Sequence, residues 1–149
     1  MWRYLAASFL LVSVTLGSAC DTEPQPAYEE RGQPVSIEDL EILDRADQLL
    51  ANETIWNRND TRECPSGAST LSLYCALYAA CTEVLGTYDH RRVAIQEVRF
   101  GIESVSGGRE FEHRLMDFNN LPETTFSDVK KVLALARANV ATRLTKSKN

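Results

Sequence analysis

The chain has 149 residues, 44% of them apolar and 25% charged, which suits one small folded domain, and no internal repeat or second linker divides it. Its formal net charge is −5, unevenly placed: residues 20–44 carry eight acidic groups against Arg31 alone, whereas residues 45–149 carry fourteen basic and thirteen acidic groups. The folded body is therefore expected to be close to neutral, without the basic face that a nucleic-acid partner requires.

In chain order, Arg3 supplies a positive start and Leu5 to Val14 form an apolar run, far shorter than the roughly twenty residues of a bilayer span. Small residues then lead into Cys20. This pattern predicts an export signal over residues 1–19, not a transmembrane helix. Cys20 becomes the first residue of the mature protein and the candidate lipidation site, and two or more acyl chains there are enough for stable anchoring. Gly17 and Ala19 also suit an ordinary signal peptidase, so a secreted, lipid-free product is the alternative. Residues 20–34, rich in Pro, Gln, Glu and Gly, bury too little apolar surface to offset their ordering entropy and are expected to form a flexible acidic tether.

Residues 35–149 read as an all-α domain. Ser36 with Asp39 resembles a capping box, and Ile37, Leu40, Leu43, Ala46 and Leu50 recur on one helical face that frays near Ala51-Asn52. Trp56 follows and is expected to close the bottom of the core. Asn57 to Thr70 is polar and reads as a loop. Leu71 to Leu85 lacks Gly and Pro, is apolar nearly all round and stops at Gly86, so it is expected to be the central, most buried helix. A third helix is predicted from Asp89 to Ser104 with Ile95, Val98 and Ile102 inward. After Gly107-Gly108 a segment through Phe111 and Leu115 to Pro122 has no clear assignment. The last helix is predicted to start at a Thr125 cap matched by Asp128, with Val129, Val132, Leu133, Ala136 and Val140 buried. Four helices with short connections predict a compact four-helix bundle-like domain.

With Cys20 lipidated, three cysteines remain for an oxidising compartment. Cys75 and Cys81, six residues apart on one helix, are separated by about 120° around the axis and roughly 9 Å along it, beyond disulfide reach. Cys64 is therefore expected to pair with Cys75, with Cys81 as the alternative partner. Cys64-Pro65 has no second close cysteine or histidine, so no metal site is predicted.

Trp56, the loop ending at Cys64-Pro65, the run Tyr74-Cys75-Ala76-Leu77, and Phe118-Asn119-Asn120-Leu121-Pro122 leading into Thr125 together resemble the domain-of-unknown-function family 6197, over about residues 37–144. This chain carries Phe118-Asn119-Asn120 where many members have Trp-Asn-Asp, and Tyr78 where a glycine is usual. The resemblance implies the helical fold and supplies no activity.

Candidate chemistry is sparse. His90-Arg91-Arg92 reads as a solvated helix start, and His113 lies in the charge-dense stretch Arg109 to Arg114. No nucleophile elbow, phosphate loop or His-Glu-x-x-His pattern occurs, so no catalytic residue, metal or cofactor is predicted. The polar group Asp117, Asn119, Asn120 and Glu123 is the candidate binding region, with Asn119 and Asn120 expected to cap the final helix or close a turn. Two functions follow: a non-enzymatic binding module, anchored in a membrane and meeting a protein partner at the bacterial envelope, or a small enzyme or effector using Asp117 to Glu123 with His90 or His113.

Overall fold

The computed structural model describes residues 32–147; the expected signal segment, Cys20 and most of the tether lie outside these. The described chain forms five helices: α1 (Ile37–Leu49), α2 (Leu73–Leu85), α3 (Val93–Val105), α4 (Arg114–Asn120) and α5 (Phe126–Ser147), with a single 3-10 turn at Glu53–Ile55. None of them is long and apolar enough to cross a membrane. The only β-type contact among the described residues is an isolated parallel bridge between Trp56 and Leu71. The fold is all-α, as the apolar spacing predicts, with α4 filling the unassigned segment.

Local signals set most boundaries. The Asp39 carboxylate accepts the Ser36 N–H at 2.9 Å at the start of α1. Ser72 Oγ accepts the Cys75 N–H at 3.1 Å at the start of α2, and Gly86, with φ 77°, ends that helix in the left-handed conformation open to glycine. Thr125 and Asp128 exchange bonds at the start of α5, at 2.9 and 3.2 Å. The start of α3 is different. The Asp89 carboxylate takes the Arg91 N–H at 2.8 Å, holding residues 89–92 in a turn, and the fully buried Asp39 reaches across from α1 to the Ala94 N–H at 3.1 Å and Arg92 Nε at 2.9 Å. That tertiary cap starts the helix four residues later than expected.

The core lies where α3 packs along α5 while α1 bridges α2 and α5. Gly101 allows the α3–α5 approach: a Cβ there would stand 3.0 Å from the Val132 carbonyl oxygen. The most buried helix is α3, with nine of thirteen residues buried, against six of thirteen in α2. This corrects the expectation from hydropathy, and the reason is pairing. Glu97 is buried on α3 because Arg143 and Asn139 of α5 meet its carboxylate at 2.8 and 3.1 Å; Gln96 donates to the His90 carbonyl at 3.0 Å, while its own Oε1 is buried with no partner among the described residues. Conversely, α2 leaves Tyr78 39% exposed, so it is not apolar on every side in effect.

Candidate functional site

Two residues flagged by sequence, Asn119 and Asn120, end α4 and hold the polar loop that follows Trp56. Fully buried Asn119 accepts from Trp56 Nε1 at 2.8 Å and from the Leu73 N–H at 3.0 Å, and its amide donates to the Asn57 carbonyl at 2.9 Å. Asn120 takes the Asp60 N–H at 2.7 Å and returns a bond to the Asp60 carbonyl at 2.8 Å. They clamp a distant loop, rather than capping the final helix. The remaining two members of the group lie apart: Asp117 Oδ2 accepts the His113 N–H at 2.8 Å, and Glu123 pairs with Arg109 at 2.6 Å.

A second restraint on the same loop is the Cys64–Cys75 disulfide, with Cα atoms 5.3 Å apart, which ties it to α2 and leaves Cys81 as a buried free thiol. Between clamp and disulfide stands Arg62. Its N–H donates to Asp60 Oδ1 at 2.7 Å, and its φ of 62° is the only left-handed value at a non-glycine residue among those described. Such a conformation costs of order 1–3 kcal/mol at a non-glycine residue and persists where surrounding bonds over-determine it. The other oxygen of Asp60 is buried with no partner among the described residues.

The loop projects Arg62 onto a cleft of about 600 Å³ that the sequence does not announce. One wall is aromatic: Tyr74 of α2 and Tyr88 of the α2–α3 connection meet edge-to-face with centroids 5.7 Å apart, and Tyr78 extends the cluster outward, 5.2 Å from Tyr88. Arg99 of α3 forms a strut, its Nη1 donating to the His90 carbonyl at 2.9 Å, which places His90 at the cleft. The third side is the start of α4 and the strand of chain before it, with Phe111, Leu115 and Met116 giving apolar surface and Glu112, His113 and Arg114 giving polar surface.

The electrostatics of this cleft run against those of the whole chain. Three guanidinium groups face one carboxylate, in a protein whose net charge is −5. Burial pushes the Tyr88 hydroxyl up to about 12, and the Tyr74 phenol adds to the rise; the Arg99 and Arg62 charges pull the other way, so both guanidinium groups lie within electrostatic reach of that hydroxyl.

Several other arginines are committed to partners. Arg45 pairs with Glu83, Arg92 with Asp39 and Arg137 with Asp44, while Arg58 gives Nη2 to the carbonyls of Leu121, Pro122 and Thr124 at 2.8 to 3.2 Å. In the cleft, the side chains of Arg62, Arg114, His90 and His113 make no hydrogen bond or ion pair with any described residue. Among the described residues no group of three or more His, Cys, Asp or Glu side chains could hold a metal ion. The cleft offers donors and aromatic faces, the chemistry that receives an anion.

In the sequence His90 and His113 fall in two separate solvated stretches; folding brings them to one cleft. Arg62, Arg99, Tyr74 and Tyr88 gave no local signal, because each lies in a different segment.

No curated protein and no solved structure matches the chain significantly. The model of the family of unknown function DUF6197 matches residues 34–139, which include both asparagines of the clamp, both cysteines of the disulfide and every residue lining the cleft, and the chain belongs to that family.

Proposed function

We propose that this protein is an exported, lipid-anchored helical binding module that captures a small anionic ligand in the cleft between α2, α3 and α4. One observation carries the ligand reading: four cationic or protonatable side chains, Arg62, Arg114, His90 and His113, surround a concave space with no protein partner among the described residues. An anion entering this space meets an excess of positive charge, and an oxyanion matches the donor fork of a guanidinium.

A broad apolar docking face has less support, since Ile37 and Tyr78 are the only exposed large hydrophobic residues among those described. An enzyme centred on Asp117 has less support too, because that carboxylate accepts the His113 N–H and is not among the cleft residues. Export and anchoring at Cys20 rest on the apolar run and small residues before it. A disulfide fits an oxidising compartment.

Titrating the ¹⁵N-labelled mature chain, residues 20–149, with inorganic phosphate tests the ligand reading. Saturable shifts at Arg62, His90, His113 and Arg114 are expected, and their absence up to tens of millimolar overturns it. Intact mass of the protein from membrane and soluble fractions tests the anchor. A membrane species starting at Cys20 with a diacylglyceryl group supports it, and a soluble unmodified species starting there overturns it.

A further inference from the structure

We infer that the ligand is a small aromatic anion, a carboxylate or phosphate joined to a planar ring, with the charged group held at Arg62 and Arg114 and the ring laid against Tyr74 and Tyr88. This rests on the anion-binding reading above and narrows it.

Size comes first. The cleft holds about 600 Å³, within the range of sites that enclose small organic molecules. A bare oxyanion, with the bulk of about two or three waters of about 30 Å³ each, fills less than a fifth of it.

The walls decide what fills the rest. Tyr74 and Tyr88 already meet at 5.7 Å in an edge-to-face arrangement, so an added ring can continue the same packing. The same cleft is lined by Phe111, which offers apolar contact, and by Met116, with a polarisable thioether suited to a ring edge. A bare anion leaves that apolar surface facing water, and a neutral ring makes no use of the guanidinium donors. An aliphatic anion meets the charge but gains little from the tyrosine faces. The two kinds of subsite share one cleft, since Arg62, Arg114, Tyr74 and Tyr88 all line it. The Tyr88 hydroxyl has no hydrogen-bond partner among the described residues, so it can donate to the same anionic group. One small molecule therefore spans both.

The test titrates the ¹⁵N-labelled mature chain with four compounds in parallel: phenyl phosphate, benzoate, inorganic phosphate and phenol. At least one of phenyl phosphate and benzoate is expected to bind ten-fold or more tightly than both inorganic phosphate and phenol, shifting Tyr74, Tyr88 and Arg62 together; which of the two is tighter identifies the head group. Tyr88→Leu is expected to remove the aromatic advantage while inorganic phosphate binds as before. Arg62→Gln and Arg114→Gln are expected to weaken both classes of anion several-fold, with the remaining amide spectrum unchanged. Equal affinity for inorganic phosphate and the better aromatic anion overturns the ring assignment and leaves the anion site standing. Phenol binding as tightly as the aromatic anions overturns both readings, as does the absence of any shift at cleft residues.

Discussion

Trp56 Nε1 donates to Asn119 Oδ1 at 2.8 Å across 63 residues of sequence, and the same oxygen takes the Leu73 N–H at 3.0 Å. A single side-chain amide thus joins the turn after α1, the start of α2 and the end of α4. Trp56 is buried against Phe126, with centroids 6.0 Å apart, and carries Arg58 over its outer face at 5.2 Å. The clamp therefore fixes the lower core and the root of the Arg62 loop together.

Asn119→Ala should leave the Trp56 indole N–H and the Leu73 amide without their acceptor in a fully buried setting. Each orphaned donor costs about 1–3 kcal/mol, so a loss of about 2–6 kcal/mol is expected. Trp56→Phe removes only one of the two donors while Leu73 keeps its bond, so it should cost less than Asn119→Ala. Urea denaturation monitored by far-UV circular dichroism checks both. A loss below about 1 kcal/mol for Asn119→Ala would show that water replaces the amide and that the clamp contributes little.

Opening the Cys64–Cys75 disulfide should weaken stability and ligand binding together. The bridge closes a loop spanning a sequence separation of 11, for which chain entropy gives about 2–3 kcal/mol. Arg62 lies inside the stretch between the asparagine clamp and the bridge, so freeing Cys64 enlarges the space that its guanidinium explores. Cys64→Ser and dithiothreitol-treated protein are expected to melt at lower temperature and to bind phosphate several-fold more weakly. Lower melting with unchanged affinity would place the control of Arg62 in the asparagine clamp alone.

The elements were legible wherever their determinants are local. Caps at Ser36 and Thr125, the stop at Gly86 and the apolar spacing of α1 and α5 all act within a turn of the residue concerned. The start of α3 was not, because Asp39 caps it from another helix, and α4 was not, because seven residues give too short a pattern. Burial of Glu97 likewise depends on Arg143, 46 residues away. The asparagine pair stood out, yet its role depends on Trp56 and Asp60, whose proximity only the fold creates. The cleft was the least legible part. Near-neutral charge over residues 45–149 is an average, and it conceals a site drawn from five separate segments.

Raising the pH should destabilise the protein through Tyr88. Its hydroxyl stands at about 12 in the folded chain against an ordinary value of 10.0, so the folded state holds the proton more tightly than the unfolded state does. Below pH 10 the phenol is neutral in both states and the stability is fully present. Between about pH 10 and 12 the unfolded tyrosine ionises while the folded one does not, and stability falls. Denaturation midpoints measured across this window are expected to decline more steeply for the native chain than for Tyr88→Phe. Parallel slopes would mean that Tyr88 ionises freely in the folded protein.

Arg62→Gly separates stability from binding. Arg62 adopts φ 62°, a conformation that disfavours a residue with a Cβ by roughly 1–2 kcal/mol and that glycine adopts freely. Glycine also loses more backbone entropy on folding, about 0.5–1 kcal/mol, so the net change should lie between zero and about 1.5 kcal/mol of added stability. The substitution retains the N–H that Asp60 accepts and removes the guanidinium that faces the cleft. Unchanged or raised thermal stability with several-fold weaker phosphate binding is the expected pair of results. It would identify Arg62 as a residue kept in an unfavourable backbone conformation for what its side chain binds. If stability falls instead, the guanidinium contributes to holding the fold itself, and if affinity is unchanged, the anion rests on Arg114 and the histidines without it.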